Sequence, residues 1–295
     1  MDFGADVPFG QVAAKVREHY GINLAVGAAA RVTERHARAL RPAQGSPRAK
    51  PGKAVVLIAE IDGGMVPVVT PAPEAPDGRK GKSLAWREAK VVMVRPPGEV
   101  APRFAATLGS PAMAGAGLRT LAKRAGFDGK TKVHALGDGA PWIRDQVATV
   151  FGRQASYLVD FFHVAEYLAD AAKTCGGSDP KAWVAARKKD LREGRSHAVI
   201  VELGKGREPE TAAERPAAVA YRYLSERANQ LDYAGALAKD LPIGSGEIES
   251  AHRYLVQSRL KKAGAWWLEA NAQAMLNLRV LRANDRWEDY WVKAA

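Results

Sequence analysis

The stretch AVVLIAEIDGG, residues 54–64, is the most apolar strand-like run of the chain and leads to Asp62 and two glycines. Further on, KVHALGDGAPWI (residues 132–143) carries Asp138 out of a short apolar segment into a Gly-bounded turn. A third carboxylate, Glu249, follows the glycine pair of IGSGEIES. Carboxylate oxygens are ligands that Mg²⁺ and Mn²⁺ prefer. Three acids at three predicted element ends therefore indicate a divalent-metal site.

The composition is that of a folded protein with a basic surplus. The chain has 295 residues, 47% of them hydrophobic, which is enough to bury a core. Lys and Arg outnumber Asp and Glu by 44 to 32, giving a formal net charge of +12. This surplus favours a polyanionic partner, most often nucleic acid, because phosphate contacts release counterions. A basic protein with a solvated positive face is the alternative.

Cysteine usage and hydropathy exclude several classes of protein. Cys175 is the only cysteine, so an intramolecular disulfide and a cysteine-based zinc cluster are excluded. The N-terminus MDFGADVPFG lacks the basic start and apolar core of a signal peptide. No apolar stretch approaches the roughly 18 residues of a membrane span. The sequence therefore predicts a soluble cytoplasmic protein with no membrane partner.

Residues 1–50 are predicted to form a helical segment and a linker. The helices are expected at about Phe9–His19 and Ala25–Leu40. A partial helix-turn-helix unit that reads DNA is one interpretation, and a basic helix pair packed on the next domain is the other. The second helix carries arginines at spacings of three or four residues, which places them in line: Arg31, Arg35, Arg38 and Arg41.

Residues 51–163 show the element order of a ribonuclease-H-like fold. We predict three strands, a helix, a strand, a helix and a last strand. Right-handed crossovers would place the fourth strand beside the first, so that Asp62 and Asp138 lie at the same edge of neighbouring strands. The predicted strands are Val55–Ile61, Met65–Val69, Trp86–Arg95, Lys132–Leu136 and Ser156–Val159, with helices at about Gly117–Ala125 and Trp142–Phe151.

The rest of the chain is predicted to be helical. Residues 164–240 are charged and helical in pattern, and we interpret them as an all-helical insertion into the catalytic domain. Residues 241–295 begin with the turn PIGSG and continue as the C-terminal helices of that domain, which carry Glu249. The predicted fold class is α/β, with a ribonuclease-H-like mixed sheet flanked by helices and a helical N-terminal segment.

The residues leave more than one candidate for the third metal ligand. Glu247 and Glu249 are two residues apart on a helix and point about 200° away from each other, so only one can face the metals. The other is then a first-turn glutamate that the helix dipole favours. Glu60 shares a strand face with Asp62 and is a further candidate, which we interpret as a supporting or edge charge.

Four segments together resemble the DDE transposases of bacterial insertion sequences. They are EIDGGMVPV around Asp62, GDGAPWI around Asp138, DFFHVAEYL at 160–168 and GSGEIESAHRYLVQSRLKKAGAWW at 244–267. The resemblance is greatest to the ISKra-type group, related to the Mutator-like transposases. It extends from about residue 54 to 291, and the GSGxxE…RLKxxGxxW run is its most specific part.

The resemblance implies an enzyme that cleaves DNA at insertion-sequence ends and transfers the freed strand into a target. It implies Asp62, Asp138 and Glu249 as catalytic residues and as ligands of two Mg²⁺ or Mn²⁺ ions. It selects Glu249 over Glu247, since the family's glutamate follows the second glycine by three. Asp160 and His163 match the D-x-x-H element, to which we assign a supporting role. The expected partners are element ends and target DNA, bound by a homo-oligomer.

A basic and aromatic segment follows Glu249 and is predicted to contact DNA. Its charges could bind phosphates and one of its tryptophans could stack on an unpaired base, although core packing is the better expectation for at least one tryptophan. A basic loop between two predicted strands is a second candidate, with a solvated loop equally compatible. The residues predicted to bind DNA are Arg253, Arg259, Lys261, Lys262 and Trp266 in the first segment and Arg79 and Lys80 in the loop.

Two alternatives to a transposase stay open at this point. One is a ribonuclease-H-like nuclease or resolvase that hydrolyses DNA without strand transfer. The other is a non-catalytic DNA-binding derivative, because members of such groups usually carry a longer N-terminal DNA-recognition region than residues 1–50 provide. The presence of all three carboxylates favours an enzyme over a decayed copy.

Overall fold

The protein has a five-stranded mixed sheet flanked by helices. The structure, a computed structural model, describes residues 1–40, 53–71, 81–205 and 215–294. The strand order is β3-β2-β1-β4-β5, with β2 and β3 antiparallel and β4 and β5 parallel. The strands are β1 (Val56–Pro71), β2 (Lys82–Arg95), β3 (Arg103–Thr107), β4 (Lys132–Gly137) and β5 (Ala155–Val159).

Local sequence signals account for where many of the helices begin. Four helices start with a proline. Proline suits the first turn because a backbone N–H at that position has no acceptor within the helix, so its absence loses no hydrogen bond. The helices are α1 (Asp2–Asp6), α2 (Phe9–Tyr20), α3 (Val26–Ala39), α4 (Pro111–Arg124), α5 (Pro141–Phe151), α6 (Phe161–Cys175), α7 (Pro180–Arg192), α8 (Ser196–Lys205), α9 (Pro216–Ser225), α10 (Tyr233–Leu237), α11 (Gly246–His252), α12 (Ser258–Leu260), α13 (Glu269–Ala283) and α14 (Trp287–Ala294).

The predicted division of the chain into two short strands around Asp62 is wrong. β1 continues without a break through Asp62, Gly63 and Gly64, so this aspartate lies inside a strand and not at its end. The strand also stays partly buried beyond the glycines, where Val66 and Val68 face the core. Hydrophobic residues at alternate positions keep this part in the sheet, and they outweigh the turn tendency of a Gly-Gly pair.

The second half of the sheet agrees with the sequence. β4 is the neighbour of β1 in the strand order, as the crossover rule predicted. Asp138 follows directly on Gly137, the last residue of β4, which confirms its place at a strand end. The sequence missed β3, whose Arg103–Thr107 segment is short and pairs with the end of β2.

One compact unit, here called unit 1, is formed by three parts of the chain: Met1–Leu57, Ile61–Thr131 and Glu247–Ala295. Side chains of β2 and β3 and of the C-terminal helices form its core, among them Met93 and Leu276. The N-terminal helices belong to the same unit, and α3 packs on α13. This arrangement matches the prediction of a basic helix pair packed on the next domain.

The second compact unit consists of Ile58–Glu60 and Lys132–Gly246, here called unit 2. Its core combines β4 and β5 with α6 to α10, so the helical pattern predicted for residues 164–240 is confirmed for the described part. Leu191 and Leu224 of these helices are fully buried. Each such leucine contributes about 1.5–3 kcal/mol through the apolar surface it removes from water.

The helices of the described residues vary in length and apolar character. None of these helices combines the length and the apolar character that crossing a membrane requires.

Candidate functional site

Asp62 is held by local contacts within unit 1. Its Oδ1 accepts a hydrogen bond of 2.7 Å from the backbone N–H of Gly63. Its Oδ2 lies 4.0 Å from Nε2 of His252, and 25% of the Asp62 side chain is exposed. At 4.0 Å the two groups do not form a hydrogen bond. The carboxylate is therefore partly exposed and lies beside a buried ring.

His252 is neutral and fixed by the backbone of β2. The ring is 3% exposed, and Nε2 donates to the carbonyl of Ala89 at 3.2 Å. Burial lowers the pKa of His252, and the bond to Ala89 offsets part of this effect. The position of His252 next to the charged Arg253 suggests a surface residue, but the ring is buried. Its position three residues after Glu249 in α11 could not reveal which face the helix buries.

Gly64 is the residue that lets this ring approach β1. A Cβ at Gly64 would lie 2.3 Å from Cε1 of His252, far inside contact distance. A glycine within a strand often marks such a close approach of a neighbouring group. The Gly63-Gly64 pair, interpreted from sequence as a turn, thus supplies space next to Asp62.

Replacing Gly64 with alanine is expected to lower the free energy of unfolding by about 1–3 kcal/mol, because the buried ring of His252 must move. Urea denaturation would measure the change. Gly129→Ala is the control, since nothing lies within 4 Å of a Cβ at Gly129. In the Gly64→Ala background, His252→Ala should recover part of the loss by making room. An unchanged midpoint for Gly64→Ala alone would contradict this explanation.

The two glutamates of α11 have different surroundings. Glu247 receives two hydrogen bonds from Arg95 at the end of β2, at 2.8 Å from Nε and 2.6 Å from Nη2. Glu249 is exposed. The guanidinium of Arg95 is only 12% exposed and binds the carboxylate of Glu247 through two hydrogen bonds. This ion pair fixes α11 to the end of β2. Of the two, Glu249 is the more exposed.

A buried arginine supports the helix that carries Glu249. After α11 the backbone passes through a π-helical turn at Arg253–Gln257, which leaves carbonyl groups without their usual partners. Arg279 of α13 donates through Nε to the carbonyls of Tyr254 and Leu255 at 2.8 and 3.0 Å. It also donates to Ser258 Oγ at 2.9 Å. Arg279 therefore satisfies the carbonyl groups of this turn and fixes the turn, which directly follows α11, against α13.

The turn that presents Asp138 is held from three sides within unit 2. Oδ1 of Asp138 accepts from the N–H of Ala140 at 2.8 Å, and its carbonyl accepts from the hydroxyl of Tyr223 at 2.5 Å. Gly139, with φ of +84°, donates to Tyr157 Oη at 3.1 Å and accepts from Arg227 Nε at 2.9 Å. Burial raises the pKa of both tyrosines, so their hydroxyls stay protonated. These bonds fix the direction of the half-buried Asp138 side chain.

Asp160 is a structural carboxylate at the start of α6. It is 1% exposed, and its Oδ1 accepts from the N–H groups of Phe162 and His163 at 2.6 and 2.9 Å. Its Oδ2 accepts from the N–H and the hydroxyl of Ser245, both at 2.5 Å. The sequence predicted a supporting role without identifying Ser245, which no spacing rule connects to Asp160. This contact joins α6 to the PIGSG turn in front of α11.

His163 contacts Asp160 through its backbone and not through its ring. The ring lies 3.5 Å from Glu166 and packs edge-on against Tyr167 and Tyr223. The backbone N–H of His163 takes part in the helix cap that Asp160 forms. The ring instead belongs to the aromatic group beside the Asp138 turn.

A second histidine, His134 of β4, fixes the same PIGSG turn. The ring is 4% exposed, and Nε2 donates to the carbonyl of Pro242 at 2.7 Å. Burial lowers the pKa of His134, the Pro242 bond raises it in part, and Lys239 lowers it further. The folded protein therefore disfavours protonation of this ring.

The stability of the protein is expected to fall as the pH drops below about 6.5, the ordinary pKa of histidine. Below that value the unfolded chain takes up a proton on His134 that the folded chain resists, so the contribution is complete above it and lost on acidification. Denaturation curves at a series of pH values would measure the slope. His134→Gln retains a donor for Pro242 but does not titrate, and its slope should be smaller. An identical slope would contradict the assignment.

The three predicted metal ligands come from both units. Asp62 and Glu249 belong to unit 1 and Asp138 to unit 2. Throughout the described ranges, no group of three or more His, Cys, Asp or Glu side chains is placed to hold a metal ion. The chemistry of the donors nevertheless suits Mg²⁺, because all three are carboxylates with solvent-accessible surface. Glu60, the other candidate, is 1% exposed.

A family comparison matches the part of the chain that carries two of these carboxylates. The model of the family described as Uncharacterised protein family (UPF0236) matches residues 123–293, more than half of the chain. The chain belongs to this family. No curated protein matches it. Asp138 and Glu249 lie inside the UPF0236 match, and Asp62 lies before it.

The basic segment of this UPF0236 chain is divided between surface and interior. Arg253, Lys261 and Lys262 are exposed, as a DNA contact requires. Arg259 is 2% exposed, so we remove it from the predicted surface contacts with phosphate. The rings of Phe9 and Trp267 lie against its guanidinium. The basic segment SRLKK does not reveal this burial, since its other charged residues are exposed. Arg79 and Lys80 lie outside the described residues.

The two adjacent tryptophans of the segment also differ. Trp267 is 5% exposed and packs in the core of unit 1, which confirms the expectation that at least one tryptophan is structural. Trp266 is 54% exposed, and Lys82 Nζ lies 4.1 Å from the centre of its ring. Trp266 thus lies at the surface with a cationic group over its ring.

Proposed function

We propose that this UPF0236 protein is a DDE transposase that cleaves DNA at insertion-sequence ends and joins the freed strand to a target. The observation that carries the proposal is the strand order β3-β2-β1-β4-β5, in which β1, the strand containing Asp62, neighbours β4, which ends directly before Asp138. That neighbourhood is what a ribonuclease-H-like catalytic domain requires of its first two acids. The assignment of this sheet to a ribonuclease-H-like fold is part of the proposal.

In this proposal Asp62, Asp138 and Glu249 hold two Mg²⁺ or Mn²⁺ ions. Such ions, when bound, activate a water molecule and stabilise the leaving oxygen of the phosphodiester. The chain supplies the positioning. Gly139 and its bonds aim Asp138, and Glu249 is the glutamate of α11 that we assign to the metal site, while Glu247 binds Arg95.

Charge supports a DNA substrate. The formal net charge of +12 favours association with a polyanion. Exposed Arg253, Lys261 and Lys262 follow Glu249 closely in the chain, so phosphate contacts would form near one of the proposed catalytic carboxylates. A homo-oligomer bound to paired element ends is part of the same proposal.

A cleavage and joining assay tests the function. The purified chain is incubated with DNA that flanks its coding frame, with Mg²⁺, with Mn²⁺ or with a chelator. Metal-dependent nicking at the element end, followed by joining of a pre-cleaved end to a second DNA, is the expected result. Nicking without joining would support the ribonuclease-H-like nuclease instead. DNA binding without any cleavage would support the non-catalytic derivative and overturn the proposal.

A further inference from the structure

Unit 1 contains a pocket of about 470 Å³ at the open edge of the sheet. β3 is the outermost strand on this side of the strand order, and both α4 and α13 pack on it. The lining is largely apolar and includes Phe104 of β3, Leu121 of α4 and Leu281 of α13. Sites for small molecules have volumes of about 300–1,000 Å³ and mostly apolar linings, so this pocket has the size and character of such a site.

The amide side chains that α13 contributes to the lining are used by the edge of the sheet. Asn284 accepts from the N–H of Phe104 at 2.7 Å and donates to its carbonyl at 2.9 Å. Gln273 accepts from the N–H of Leu108 at 2.7 Å and donates to Asn277 Oδ1 at 2.8 Å. An added strand would need the backbone groups of Phe104 and Leu108, so these bonds block an extended peptide at this edge. The apolar interior is therefore suited to a small ligand.

The charged groups of the lining are all cationic. Arg124 at the end of α4 and Arg286 after α13 line the pocket, and the described residues of the lining include no carboxylate. Burial lowers the pKa of the Arg124 guanidinium, and the charges of Arg286 and Arg103 lower it further. These two arginines thus lie close enough to disfavour the charge on Arg124. A bound anion would offset this repulsion, and a carboxylate matches the fork of N–H donors that a guanidinium presents.

The lining positions on α4 set the length of the ligand. They run from Met113 to Arg124, which lie about 16 Å apart along the helix axis. The cationic end of this length is the end of the helix, and the exposed Met113 marks the opposite end. A straight apolar chain of roughly eight to ten carbons with one acidic group at its end fits this length and this distribution of charge.

We infer that this pocket binds a medium-chain fatty acid, with its chain between α4 and α13 and its carboxylate at Arg124 and Arg286. Burial of the chain supplies affinity, because each CH₂ group removed from water raises binding about fourfold. The carboxylate orients the ligand and selects against an uncharged chain. The site shares no residue with the proposed catalytic carboxylates, and it does not depend on the transposase proposal.

Isothermal titration calorimetry on the full chain tests this site. The probes are octanoate, hexanoate and octanol, each below the concentration at which it forms aggregates. Octanoate should bind more tightly than hexanoate by about 15-fold, the effect of two further buried CH₂ groups. It should bind more tightly than octanol by at least about tenfold, the effect of a charge-assisted hydrogen bond. Equal binding of octanoate and hexanoate would show only the attraction of a basic protein for an anion, and would overturn the inference.

Two pairs of substitutions on α4 locate the ligand. Ala116→Phe fills the pocket from an exposed position of its lining and should abolish the advantage of octanoate over hexanoate. Ala112→Phe, exposed on the same helix and outside the lining, should preserve it. Arg124→Gln should lower the affinity for octanoate by about tenfold and leave that for octanol unchanged. Lys123→Gln, exposed and outside the lining, should change the affinity for octanoate by no more than about twofold.

Thermal unfolding without ligand shows whether each variant folds. If Arg124→Gln fails to fold, Arg286→Gln removes the other guanidinium of the lining and should show the same selective loss of octanoate binding. Unchanged octanoate binding in a folded Ala116→Phe variant would place the ligand elsewhere and overturn the inference. Equal losses in the Arg124→Gln and Lys123→Gln variants would do the same, because they would reflect the net charge alone.

Discussion

Replacing Asp160 with asparagine is expected to lower the free energy of unfolding by about 3 kcal/mol. The carboxylate accepts four hydrogen bonds, two at the start of α6 and two from Ser245. An asparagine keeps one oxygen but turns an amino group toward N–H and O–H donors, so at least one pair of bonds is lost. At 1% exposure no bulk water replaces them. Urea or guanidinium denaturation would measure the loss.

Asp145→Asn is the matched control for this substitution. Asp145 lies on α5 in the same unit, 58% of its side chain is exposed and it pairs only with the adjacent Arg144 in the described contacts. The same chemical change there should shift stability by no more than about 0.5 kcal/mol. If the two variants lost equal stability, the four bonds to Asp160 would not be the cause. Loss of DNA cleavage by Asp160→Asn alone would not distinguish a catalytic role from a structural one.

The part of the fold that follows from the sequence is the part with strong local signals. β4, α5 and β5 were predicted nearly to their ends, since each apolar segment is short and a proline or glycine marks its limit. Asp138 was placed at a strand end for the same reason. Capping by Asp160 likewise has a local signal, a carboxylate directly before an apolar helix.

The rest depends on contacts between distant residues, which no local pattern contains. Gly63 and Gly64 predict a turn by composition, yet they provide space for side chains of other elements, and one of these is His252. Arg259 looks like a surface charge in SRLKK, but Phe9 and Trp267 enclose its guanidinium. In both cases a partner far along the chain decides the conformation or burial of the residue.

Asp138→Asn is expected to lower the rate of metal-dependent DNA cleavage by at least about 10³-fold, in the range seen when a catalytic group is removed. Asparagine keeps the oxygen that accepts from Ala140, so the turn should survive, but it lacks the negative charge that holds a divalent ion. Tyr157, Tyr223 and Arg227 bond to backbone atoms of residues 138 and 139, and the substitution leaves these atoms unchanged. Cleavage of DNA that carries the element end, measured in single turnover, reports the rate.

Two properties of the Asp138→Asn variant should stay the same as in the unaltered chain. Since the turn is fixed through the backbone, the midpoint of thermal unfolding and the affinity for element-end DNA in the presence of a chelator should match those of the unaltered chain. Asp145→Asn, seven residues further along and exposed, should keep full activity. Retained Mg²⁺-dependent cleavage by Asp138→Asn would remove this aspartate from the site and the transposase proposal with it. A large loss of stability in Asp138→Asn would instead show that the carboxylate itself holds the turn. In that case Asp138→Glu, which keeps the negative charge, becomes the variant that separates folding from catalysis.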